Sequence, residues 1–186
     1  MIENTTDKYT KVAIALHWII GVAIIIMLIM GLSLDSIPID YKFQAYQLHK
    51  SLGLTILVLS FVRLFWRFTH KAPPLPEGMK PWEIWASKLT HYAFYVLMIG
   101  LPITGWALVS ASTLTIPTMW FGLFEWPRLP LTVSKALSHN FSEMHELLAY
   151  MTIGLLGLHI GAALKHHFIN KDNVLTRMLP FLKQMK

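Results

Sequence analysis

The chain has 186 residues, 54% of them hydrophobic and only 14% charged, with a mean hydropathy of +0.49; soluble domains carry about 25% charged residues, so an ordinary soluble fold is excluded in favour of one membrane domain. There is no cysteine, which excludes Fe–S clusters, thioether-attached haem, thiolate-bound metal and disulfides, and leaves histidine and carboxylate to hold any metal or cofactor. In so apolar a chain the net charge of +6 fits the bias of Lys and Arg toward one side of a membrane better than a nucleic-acid surface.

The first apolar run, residues 12–34, is 23 residues without Asp, Glu, Lys or Arg, long enough for a hydrocarbon core that needs about 20. It is too long for a signal-peptide core and lacks a small-residue cleavage site, so it reads as an uncleaved span behind a short leader with Lys8 and Lys11. A second span is expected over residues 45–68, with Lys50, Arg63 and Arg67 near its ends, stopped by Lys71-Ala72-Pro73-Pro74-Leu75-Pro76. The third covers 89–111, where Pro102-x-x-Gly105 predicts a kink or a close helix approach. Residues 112–141 hold Trp120, Phe121, Phe124 and Trp126 and read as an outer interfacial connection. The fourth span covers 142–164, followed by a tail over 165–186.

The expected architecture is therefore all-α: an integral membrane four-helix bundle, antiparallel and up-down-up-down. Of 16 Lys and Arg, only Lys42, Lys50, Arg128 and Lys135 fall on the side away from the termini. The positive-inside rule then places both termini in the cytoplasm. On the outer side these four cations face Asp35, Asp40, Glu125, Glu143 and Glu146, so composition offers no net positive approach there.

Strongly coordinating side chains inside spans mark function, because leaving them unpaired in hydrocarbon is costly. His145 and His159 are fourteen residues apart on the fourth span, which puts them on nearly one helix face about 21 Å apart. Counted by depth, His17 meets His159 near the inner face and His49 meets His145 near the outer face. Two opposed imidazoles leave zinc two ligands short, whereas a haem brings four equatorial nitrogens and needs two axial ligands. The residues at i+4, on the same face, are Gly21, Gly53, Ala149 and Ala163; those four residues from the other five histidines are Tyr95, Pro74, Glu143, Asn170 and Lys171. Small neighbours leave clearance for a flat macrocycle, although Gly and Ala also serve ordinary packing between membrane helices. The reading is two haems, with His17, His49, His145 and His159 on the irons. Arg63, fourteen residues after His49, lies at the inner level and suits a haem propionate; Arg67 fits a propionate and a snorkelling cation equally well.

In this order and spacing the chain resembles the bacterial cytochrome b561 family, four-helix di-haem b proteins of the inner membrane. The resemblance rests on His17-Trp18, His49-x-x-x-Gly53, Val62-Arg63-Leu64-x-x-Arg67 before Pro73-Pro74, Leu101-Pro102-x-x-Gly105, and His145-Glu146 through His159 to His166-His167. It implies two haem b groups, inner on His17 and His159 and outer on His49 and His145. It also implies electron transfer between an outer-face donor and a membrane quinone such as ubiquinone, as in superoxide oxidase, which oxidises superoxide and reduces ubiquinone. His167, matching the second His of the family's pair, and then His91 are the candidate quinone residues, since histidine both donates hydrogen bonds and exchanges protons near neutral pH; either fits an interfacial histidine that only meets water or headgroups. His70 and His139 are assigned nothing. A second reading is a haem-bearing membrane anchor that relays electrons for a larger dehydrogenase or hydrogenase. A His-based metal or proton transporter is disfavoured because no Asp or Glu falls in mid-span.

Overall fold

A computed structural model describes residues 9–75, 78–179 and 181–182. Lys8, Pro76, Lys183 and Lys186, used above to read the leader, the stop and the charge bias, lie outside the described residues. Four helices dominate: α1 Lys11–Ser33, α2 Ile39–Thr69, α3 Pro81–Ala111 and α4 Lys135–Lys165. All four are long and apolar enough to cross a membrane. Three of the four starts have a local cap. The Thr10 hydroxyl accepts from Ala13 N at 3.2 Å, Pro81 opens α3 while the Glu83 carboxylate accepts from Lys80 N at 3.1 Å, and Ser134 caps α4 through Leu137 N at 3.4 Å.

α2, α3 and α4 overrun the apolar windows, whereas α1 matches its own to within one residue. α4 starts at Lys135 because Ser134 supplies the cap, and the mixed stretch 135–141, with Lys135, Ser138, His139 and Asn140 among its residues, continues the helix beyond the hydrocarbon-length stretch. At its far end α4 passes into a π-helical turn, His166–Asn170, stopped by Lys171 in the left-handed region at φ 54°.

Consecutive helices pack side by side, α1 on α2, α2 on α3 and α3 on α4; among the described residues α4 makes no comparable contact with α1 or α2. The packed core is correspondingly on one side, where Ile20, Ile56 and Met98 meet Ala23, Ile24, Met27, Leu59 and Tyr95 from α1, α2 and α3. Thr152 is the sole buried residue of α4. The seam between α4 and the α1–α2 pair is where the histidines face one another.

Sequence alone predicts aromatics but no strand between α3 and α4. The structure has a minimal antiparallel hairpin, β1 Met119–Trp120 with β2 Phe124–Glu125, turned through Phe121 and Gly122 at φ 48° and 73°. It is fastened to α2. Gln47 Nε2 donates to Pro117 O at 2.8 Å and its Oε1 accepts from Met119 N at 3.2 Å. Ser51, 1% exposed, donates to Met119 O at 2.9 Å and accepts from Phe121 N at 3.0 Å. Trp120 Nε1 donates to Thr55 Oγ1 at 3.1 Å. The connection is thus a packed cover over the end of the bundle that carries His49.

Candidate functional site

Two imidazole pairs bridge the seam. His17 on α1 and His159 on α4 have ring centroids 6.1 Å apart, and His49 on α2 and His145 on α4 have centroids 6.3 Å apart. With metal–imidazole bonds of about 2.0 Å, two rings on opposite sides of one metal ion place their centroids about 6.3 Å apart. Among the described residues no three His, Cys, Asp or Glu side chains group to hold a bare ion, so any metal between these rings needs further ligands from elsewhere. The i+4 positions leave room: a Cβ on Gly21 would meet nothing within 4 Å, and one on Gly53 would meet only Met27 Cε, at 3.6 Å. The spacing of the rings, the clearance and the absence of other protein ligands fit a haem.

The surroundings of the four rings differ. His145 Nδ1 donates to Leu101 O at 2.9 Å and lies 3.2 Å from Thr104 Oγ1. His49 Nδ1 is buried without a hydrogen-bond partner among the described residues. Arg63 Nη2 donates to His17 Nδ1 at 3.3 Å, a contact that puts the imidazole proton on Nε2; coordination through Nε2 therefore requires the guanidinium to leave that nitrogen.

A third histidine stands at the inner pair. His91 on α3 has its ring centroid 6.4 Å from that of His159. With Arg63, Arg67, Lys71, Trp66 and Tyr95 it lines a cavity whose wall, among the described residues, has no Asp or Glu. In its wall Trp66 and His70 stack with centroids 3.8 Å apart and planes 7° apart, a contact that their i,i+4 spacing could have signalled. The tail folds back over the same end, since Trp18 Nε1 donates to Met178 O at 2.7 Å and Arg177 Nη1 to Pro74 O at 2.5 Å. Met178 completes the cavity wall.

His167 lies outside that lining, edge-on to Phe168 at 4.8 Å, its Nδ1 buried and without a hydrogen-bond partner among the described residues. Its neighbour His166 is 8% exposed and pairs through Nδ1 with Asp172 Oδ2 at 2.5 Å. Sequence reasoning missed Asp172, because only the π turn brings a residue six positions on back to this ring. Lys165 reaches Glu83 Oε1 at 2.7 Å and ties the start of α3 to the end of α4. His139 makes an exposed pair with Glu143 at 3.3 Å.

A bundle of membrane-spanning helices with opposed histidines in its seam defines a class, the multi-pass membrane cytochromes that carry electrons on haem b. Residues 8–181 match the family model for prokaryotic cytochrome b561, and the chain belongs to that family. It is 31% identical over 181 residues to cytochrome b561 homolog 2 of Escherichia coli (strain K12), covering 95% of this chain and 93% of that protein. It is 30% identical over 179 residues to the probable superoxide oxidase CybB of Yersinia pestis, covering 93% and 96%. To cytochrome b562 of Cereibacter sphaeroides it is 27% identical over 177 residues, covering 92% and 94%. The protein is thus a bacterial multi-pass membrane protein of haem b electron transfer.

Proposed function

We propose that this chain is a two-haem electron carrier between an outer-face donor, superoxide in the first instance, and ubiquinone in the inner membrane, with both termini in the cytoplasm. The observation that carries the reading is the repeat of one imidazole geometry, 6.1 and 6.3 Å between centroids, at opposite ends of one seam. His17 and His159 would hold the inner haem and His49 and His145 the outer one. Bound there, haem b supplies reversible one-electron chemistry at iron.

This chain's own residues then have separate tasks. Arg63 and Arg67, in a wall without carboxylates among the described residues, would pair with propionates, and the contact of Arg63 with His17 Nδ1 supports its being within reach. In the same cavity His91 would donate to a quinone carbonyl and supply protons, with Tyr95 and Trp66 offering apolar faces. His167 lies outside the cavity wall, so His91 takes the role for which both were candidates. At the outer end Lys50 Nζ donates to Pro117 O at 3.1 Å while Arg128 Nη2 donates to Leu114 O at 3.3 Å and Ile116 O at 3.4 Å. Two cations, one of them the chain neighbour of His49, therefore converge on residues 114–117, where a residue count showed no positive approach. That local charge and the resemblance to a probable superoxide oxidase support an anionic donor.

Purified protein given a superoxide source and a soluble ubiquinone tests the reading. Quinone reduction that a superoxide dismutase abolishes is expected. Haem that superoxide fails to reduce would overturn the choice of donor.

A further inference from the structure

Among the described residues, His145 is the one member of the two imidazole pairs whose Nδ1 faces a carbonyl oxygen. Leu101 O sits 2.9 Å from that nitrogen, and a carbonyl only accepts, so Nδ1 carries the hydrogen and Nε2 keeps a bare lone pair. Thr104, 6% exposed, donates its hydroxyl to the same carbonyl at 2.8 Å. Its oxygen, 3.2 Å from His145 Nδ1, is then free to accept a second share of the N–H. Gly105 completes the contact: a Cβ there would lie 3.0 Å from His145 Cε1 and 3.2 Å from Nδ1, so any side chain would displace the imidazole or push α3 back. Pro102, inside α3, removes one ladder bond beside this turn and gives it latitude to lean on α4.

We propose that the Leu101–Gly105 turn of α3 is a positioning cradle for the outer axial histidine, which fixes its tautomer and ring orientation and makes its metal-facing nitrogen a stronger donor than those of the other three. The proposal rests on the reading of His145 as a haem ligand. A ligating imidazole whose other N–H is held by an acceptor gains anionic character and favours the oxidised metal, so the cradle lowers the midpoint potential of the haem held there. Among the described residues no carbonyl faces an Nδ1 of the inner pair, whose His17 Nδ1 meets only the Arg63 guanidinium that must withdraw before Nε2 can ligate. Thr104 and Gly105 act through His145 and are positioning residues.

Spectroelectrochemical titration of the full-length protein in detergent, with haem quantified per chain, tests this. Thr104→Val is expected to keep the wild-type haem content and raise the midpoint potential of one component only, with Thr104→Ser returning it toward wild type. Gly105→Ala is expected to convert that same component from a low-spin to a high-spin spectrum, or to lose it, while the other component stays unchanged. If His145→Ala loses one haem while Thr104→Val and Gly105→Ala leave both components as in wild type, or if Thr104→Val shifts both together, the cradle is overturned. If His145→Ala retains the full haem content, the ligand reading beneath it is overturned instead.

Discussion

Replacing His159 by alanine separates the two halves of the seam. The ring removed faces His17 at 6.1 Å between centroids, while His145, fourteen residues away on α4, stands about 21 Å along the helix. Sites separated by more than about 10 Å with no shared partner behave additively, so the His49–His145 end should not register the change. Haem per chain is expected to fall from about two to about one, since an axial side chain is what retains the group. α4 has little other contact with α1, so a haem held between His17 and His159 would also join them. A ligand present at 100 times its dissociation constant stabilises the folded state by about 2.7 kcal/mol, and the variant loses a contribution of that order. The assay is haem extraction and a reduced-minus-oxidised spectrum on His159→Ala beside wild type, and free imidazole added to His159→Gly should restore part of the lost component. Loss of both haems, or of neither, refutes pairing by depth.

Three further outcomes follow from named contacts. His91→Phe should slow quinone reduction several-fold and leave the haem content unchanged; because His91 is also 6.4 Å from His159, loss of the inner haem in this variant would make it, in place of His17, the axial partner. Ser51→Val strips Met119 and Phe121 of their hydroxyl partner at a cost of about 1–3 kcal/mol for buried polar groups left unpaired, which limited proteolysis should detect as new cleavage within residues 117–125 at unchanged haem content. Lys50→Gln and Arg128→Gln should each lower the rate with superoxide and flatten its decline with salt, whose screening length is about 10 Å at 0.1 M; unchanged rates would remove these cations from the donor's approach.

What the sequence made legible was periodic or local. Four apolar runs of membrane length became α1 to α4, and counting turns along α4 put His145 and His159 on one face with a partner level for each. The structure brings His17 to His159 and His49 to His145 across a seam that the helix order alone did not specify. Less legible was whatever depends on chain segments meeting from a distance. The hairpin strands are two residues each, too short for alternation to appear, and Gln47 and Ser51 of α2 hold them. Leu101-Pro102-x-x-Gly105 promised a kink or a close approach, but that its carbonyl and its missing side chain both serve His145 depends on the packing of α3 against α4. The sequence offers His167 and then His91 as quinone candidates; the structure puts His91, on the neighbouring α3, in the cavity wall and His167 outside it, while the π turn brings Asp172 to His166.

The measurement closest to the central claim is the haem b content of the purified full-length chain, from its reduced-minus-oxidised spectrum and a protein determination on the same sample. Two imidazole pairs of matching geometry predict about two b-type haems per polypeptide, resolved as two components in a redox titration. A single haem per chain, or a colourless protein, would contradict the account.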